Sequence, residues 1–327
     1  MADSLNDLLD GLVHRADLDA LVRHVDDTCS SRDWDHLVRI RDRARSAVDT
    51  GRQLWPIATL ANYRMALWAP AETAVRAFED TARTFMPGPV SEIIAVHHTW
   101  RELSPLLAPG HDRSLVAYER ALRGEGVETD EPALLDTPVT LQHWEPRYSP
   151  AGYSDDGVDF PAPDLPPAGP APSGGDAEPV DDPETVAAFR LLVEPWTAQS
   201  NGVARCTVAE GSIEDALRAH GADGCRTTEL DHRTALEHLA WAGASGGAHG
   251  KRRGLATGRS NAWWFLAVLT GMDEQWPCDP EEFGEVISGL RFAWWEVPGE
   301  TDGWRLQLAV EDADEGVSCV LFAHDTA

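Results

Sequence analysis

Residues 146–183 read PRYSPAGYSDDGVDFPAPDLPPAGPAPSGGDAEPVDDP, a stretch dense in proline and acid and poor in large aliphatic side chains. Such a segment buries too little surface to offset the entropy of ordering it, and proline favours an extended, semi-stiff chain. It reads as an acidic spacer, with docking of its FPAPDLPP on an aromatic groove as the lesser alternative. That break fixes the plan: an all-α domain at 1–127, an acidic Pro-rich linker at 128–185 and an α+β domain at 186–327. A chain of 327 residues also exceeds the size at which a single core usually keeps growing, so two domains are expected.

Before the break, apolar residues recur every three or four positions. DLDALVRHVDDTC, RDWDHLVRIRDRARSAVDT, RQLWPIATLANYRMALW, AETAVRAFEDTARTF, PVSEIIAVHHTWRELSPLL and RSLVAYERALRG each predict a helix, separated by Pro- or Gly-bearing breaks. Trp34, Leu37, Ile40 and Ala44 mark one face of the second, with arginines opposite. Short loops between helices point to a helical bundle or short solenoid, without a repeat period that names a class.

After the break the pattern mixes. VARCTVAEG and CRTTEL predict strands; Ser212 with Asp215 forms a capping box for SIEDALRAH, and Asp231 caps a helix from His232. Asp279 and Pro280 open another helix. RFAWWEV, WRLQLAV and VSCVLFA then follow as three strands joined by PGETDG and EDADEG, the signature of an antiparallel meander. The expected class is therefore a mainly α N-terminal part plus a C-terminal α+β domain with a small antiparallel sheet.

The chain carries a formal charge of −28, which repels nucleic acid and anionic membrane surfaces. No segment approaches 18 consecutive apolar residues, and the acidic N-terminus lacks a signal-peptide core. Five cysteines without a CxxC pair fit reduced thiols, so the expected setting is cytoplasmic.

One segment runs against the charge. SGGAHGKRRGLATGR, around the sole lysine, Lys251, also holds Arg252, Arg253 and Arg259. A P-loop is excluded: the required glycine is Ser245, the hydroxyl position is Arg252, and no strand leads in. Gly243, Gly247, Gly250, Gly254 and Gly258 are spaced by three or four, so a continuous helix would place all five on one close-packed face. The rival reading is a loop at GASGGAHG followed by a new helix, whose N-terminus with His249, Lys251, Arg252, Arg253 and Arg259 forms an anion site. Pairing of these cations with nearby carboxylates is the plain alternative.

Other groupings are weaker. His232 and His238 are six apart, on different helical faces, so no metal is expected and ordinary capping and core roles are favoured. His97 and His98 are expected mid-helix, one inward and one outward. The tryptophan pairs 263–264 and 294–295 are expected to divide between core and surface. No nucleophile elbow or Cys/His signature appears, and no catalytic residue is assigned.

QLWPIATLANYRMALWAPAE, HHTWRELSPLL, SGGAHGKRRGLATGRSNAWWFLAVL and GWRLQLAVEDADEGVSCVLFA together resemble an uncharacterised protein family of GC-rich actinobacteria, as does the use of Arg over Lys. The resemblance implies a bacterial cytoplasmic protein and carries no activity. The functional expectation is an interaction, scaffold or regulatory protein, with a protein partner or homo-oligomer engaging the face of residues 31–68. The alternative is a small-molecule or phospho-ligand binding protein, or an enzyme, using the anion site.

Overall fold

Polar caps and apolar periodicity set the first helices. The computed structural model describes residues 2–80, 85–128, 133–170, 175, 177–299 and 302–326. It begins with α1 (Ala2–Arg15), α2 (Leu18–Ser31) and α3 (Trp34–Asp49). The carboxylates of Asp17 and Asp33 accept from the amides of Ala20 and His36 and start α2 and α3. α4 (Trp55–Trp68) is buried on nearly every side, from Ile57 to Leu67, and packs against α2 and α3. Leu37, Ile40 and Ala44 of α3 face inward, so the face expected to meet a partner is largely internal.

Two expected long helices are interrupted. AETAVRAFEDTARTF gives the single turn α5 (Ala71–Ala74) and a 3-10 turn over Val75–Glu79. Its residues 81–84 lie outside the described residues, as do residues 300 and 301 of the PGETDG turn. PVSEIIAVHHTWRELSPLL gives α6 (Val90–Ile94) and α7 (Trp100–Leu103), because Thr99 and Glu102 form a capping box that starts a second helix. His97 and His98 are consequently not mid-helix. His97 stacks on Trp68 with centroids 4.8 Å apart, and His98 Nε2 lies 3.0 Å from the Ala69 carbonyl. α8 (His111–Leu122) follows.

The chain divides into two compact units, Met1–Arg120 with Gly152–Asp159, and Ala121–Ala151 with Phe160–Ala327. The stretch expected to be a spacer thus contributes to both. In the first unit, β1 (Gly152–Ser154) and β2 (Gly157–Asp159) form a hairpin. Tyr63 donates to the Ser154 carbonyl at 2.6 Å, Tyr153 donates to Glu92 at 2.5 Å, and Arg64 pairs with Asp155. Aromatic anchors do along this stretch what aliphatic side chains usually do: Tyr153 is buried in the first unit, and Tyr148 and Phe160 in the second.

The second unit is built on a sheet. β3 (Gly169–Pro170) and β4 (Pro179–Val180) come from the Pro-rich stretch; α9 (Pro183–Leu192) and α10 (Glu194–Ala198) lead to β5 (Val203–Glu210). Then come α11 (Ile213–Ala219), β6 (Arg226–Leu230), α12 (His232–Ala244), α13 (Leu255–Leu269), α14 (Pro280–Gly289), β7 (Arg291–Glu296), β8 (Trp304–Asp312) and β9 (Val317–Asp325). The caps expected at Ser212, Asp231 and Asp279 are all in place.

The sheet is not small. Seven strands run in the order β3-β6-β7-β8-β9-β5-β4, every neighbouring pair antiparallel. Both outermost strands carry proline, which is tolerated at an edge because it has no N–H to offer a further strand. Both faces are covered. α11 lies over Ala293, Trp295, Ala309 and Val320, while α12 packs on Trp294 and Trp304 from the other side. The neighbours Trp294 and Trp295 point to opposite faces and are both buried, contrary to the expected core–surface division.

Candidate functional site

The basic segment folds in three pieces. α12 ends at Ala244, residues 245–254 form a loop, and α13 starts at Leu255. The continuous helix with five glycines on one face is therefore corrected. Gly247 and Gly254 have φ of +65° and +87°, which a helix interior does not accommodate. Only Gly243 and Gly258 form a seam, and they do so from two different helices: a Cβ on Gly243 would sit 3.1 Å from the Gly258 Cα.

The structure does not bring the five proposed site residues together. Arg259 is wholly buried; it pairs with Glu145 at 2.6 Å and donates to the Pro138 carbonyl at 2.5 Å. Burial alone would raise the Glu145 carboxyl. The Arg259 charge and hydrogen bonds, with those from the Gln142 amide and Trp263 indole, outweigh it and hold Glu145 below the usual carboxylate range. Arg253 donates to the backbone carbonyls of Gly243, Leu191 and Leu192, tying α9 to the end of α12. Burial pulls its guanidinium down to about 10, opposed by Glu194. The Arg252 guanidinium lies 3.7 Å from the centroid of Phe160. Lys251 and His249 are exposed on the loop, which is held by Ala248 N–H on Asp325 and Lys251 N–H on Gln199.

A different set of residues makes a cavity. His238 and Trp241, one turn apart on the buried side of α12, meet Trp294 of β7 and Trp304 of β8. His238 and Trp294 have ring centroids 4.9 Å apart; Trp241 and Trp304 stack at 5.3 Å with planes inclined by 13°. Trp196 packs edge-on against both of the latter and steadies them. Phe160, Pro161, Ala162, Pro163 and Leu165 close another wall, with Gly303 and Arg305 completing a space of about 270 Å³. The floor is buried, whereas Pro161, Ala162 and Leu165 are exposed at the rim. Phe160 is held from two directions, by Arg252 over its ring and by the Trp241 indole donating to its carbonyl at 3.3 Å. One of the sequence-proposed cations thus acts on this cavity indirectly.

His238 is the anomaly in it. The residue is 1% exposed, and among the described residues neither ring nitrogen has a partner at full hydrogen-bond geometry, the Asp164 backbone being the polar group that approaches the ring. Burial drives its pKa from 6.5 down to about 4, outweighing the Asp164 backbone, so the ring is neutral at pH 7 and offers one donor and one acceptor. A buried polar group left in this state costs roughly 1–3 kcal/mol. By sequence alone His238 is a core residue, and His249 is the histidine of the candidate site. The signal that marks His238 is an imidazole on an otherwise apolar helical face, one turn before a tryptophan.

A second hollow, in the first unit, is lined by Asp26, Cys29, Ser30, Arg64, Trp68 and Asp155. Its polar groups satisfy one another: Arg64 pairs with Asp155 and Asp26, and the Trp68 indole donates to Asp155 at 2.7 Å. Burial pushes the Cys29 thiol up to about 11, which leaves it protonated and a poor nucleophile. Among the described residues, no group of three or more His, Cys, Asp or Glu side chains could hold a metal, and no helix is long and apolar enough to cross a membrane.

No curated protein and no solved structure matches this chain. A model of a family of unknown function, DUF6183, matches residues 19–327, and the chain belongs to that family.

Proposed function

We propose that the second unit is a binding module for a small apolar molecule, seated in the cavity between α12 and the ends of β7 and β8. The observation that carries this reading is the buried His238, with no partner at full hydrogen-bond geometry among the described residues, in a pocket walled by three tryptophans. Pockets of this kind combine apolar walls with a few polar groups that fix orientation. Its described lining contains no carboxylate, hydroxyl or thiol side chain, which favours binding over catalysis. A reducing, cytoplasmic setting fits five cysteines with no CxxC pair among them.

The test is thermal denaturation with and without naphthalene, a neutral aromatic probe. Ligand that binds only the folded state raises Tm. The wild-type protein should show this rise, and Trp241→Ala, which removes one wall, should lose it. Equal Tm values with and without probe in the wild type would refute the reading.

A further inference from the structure

Resting on that reading, we infer that the ligand is an uncharged, planar, two-ring heteroaromatic whose ring nitrogen hydrogen-bonds His238 while its faces lie against the tryptophans. Size gives the first argument. An apolar cavity of about 150 Å³ holds one benzene ring, so about 270 Å³ suits a fused pair of rings. Shape gives the second: Trp241 and Trp304 stack on each other and, with Trp294 and Phe160, make the lining largely aromatic, and aromatic walls favour a flat guest by offset or edge-on stacking.

Charge gives the third argument. Aromatic walls attract cations, but here the Phe160 ring already carries the Arg252 guanidinium and Arg305 lines the same space. A second cation would be repelled. An anion would meet the Arg305 guanidinium, but it would surrender its hydration to mostly apolar walls beside a neutral imidazole, in a chain of net charge −28. A neutral guest avoids both penalties. The floor's polar group is the fourth: His238 can accept from a ring N–H or donate to a ring nitrogen, so one polar edge on an otherwise apolar guest satisfies it.

Calorimetric titration with indole, benzimidazole, naphthalene and the indole-bearing cation tryptamine separates these ideas. Indole and benzimidazole should bind the wild type roughly three- to tenfold tighter than naphthalene, the worth of one net hydrogen bond. His238→Phe should bring all three to the naphthalene level, while His238→Gln, which keeps a donor and an acceptor, should preserve the difference. If His238→Phe does not fold, the wild-type and His238→Gln series decide alone. Naphthalene binding as tightly as indole would overturn the hydrogen-bond assignment yet leave the cavity reading intact. Tryptamine binding tighter than indole would overturn the assignment of a neutral ligand. Failure of all four probes would remove both readings.

Discussion

At the scale of single residues, His238 and Arg259 show two ways of burying a polar side chain. Arg259 is matched: Glu145 accepts from its Nε at 2.7 Å and from its Nη2 at 2.6 Å, and Tyr148 donates to the same carboxylate at 2.9 Å. His238 is unmatched, and its cost has a pH signature. As pH falls below 6.5 the unfolded chain binds a proton at this position, but the folded ring refuses it until about pH 4. Stability from this group is therefore complete above pH 6.5 and lost between there and pH 4, by about 3 kcal/mol for a displacement of this size. His238→Phe should unfold with a shallower loss of stability than wild type across that window in urea titrations at several pH values. It should also be the more stable protein at pH 5. Parallel curves for the two proteins would show that the imidazole is not desolvated as described.

At the scale of elements, the α12–α13 crossing depends on having no side chains at one point of contact. A Cβ at Gly258 would fall 2.6 Å from the Ala244 amide nitrogen and 2.7 Å from the Ala244 Cβ. Gly258→Ala gains helix propensity of about 1 kcal/mol, but overpacking a tight contact costs typically 1–3 kcal/mol and more against backbone. We expect net destabilisation, with a displacement of α12 that loosens His238 and Trp241, so both the urea midpoint and naphthalene binding should fall. A midpoint equal to or above wild type would show that the helices can part without penalty. Much at this scale was legible beforehand, because caps are local chemistry: Ser212, Asp231 and Asp279 each bond an amide two or three residues away. The break at Thr99 was equally local, since Thr99 and Glu102 are spaced as a capping box, but the apolar periodicity running through it masked it.

At the scale of the molecule, a net charge of −28 means that acids repel one another wherever the fold gathers them. Raising NaCl from about 0.01 M to about 1 M shortens the screening length from roughly 30 Å to 3 Å. Tm should rise by several degrees over that range. A fall would mean that ion pairs such as Arg291 with Glu214 and Glu311 outweigh the repulsion.

The helices α2, α3 and α4, the capped starts at Ser212, Asp231 and Asp279, and the antiparallel meander of β7, β8 and β9 were fixed by local pattern, since caps, turns and periodicity act within a few residues. Tertiary structure decided the rest. Proline-bearing β3 and β4 became sheet edges only because β6 and β5 lay beside them, and Trp294 and Trp295 were both buried only because helices covered both faces. The cavity unites residues 160–163, 165, 238, 241, 294 and 303–305. Distances that long in sequence leave no local trace; their chemistry exists only once the sheet is assembled.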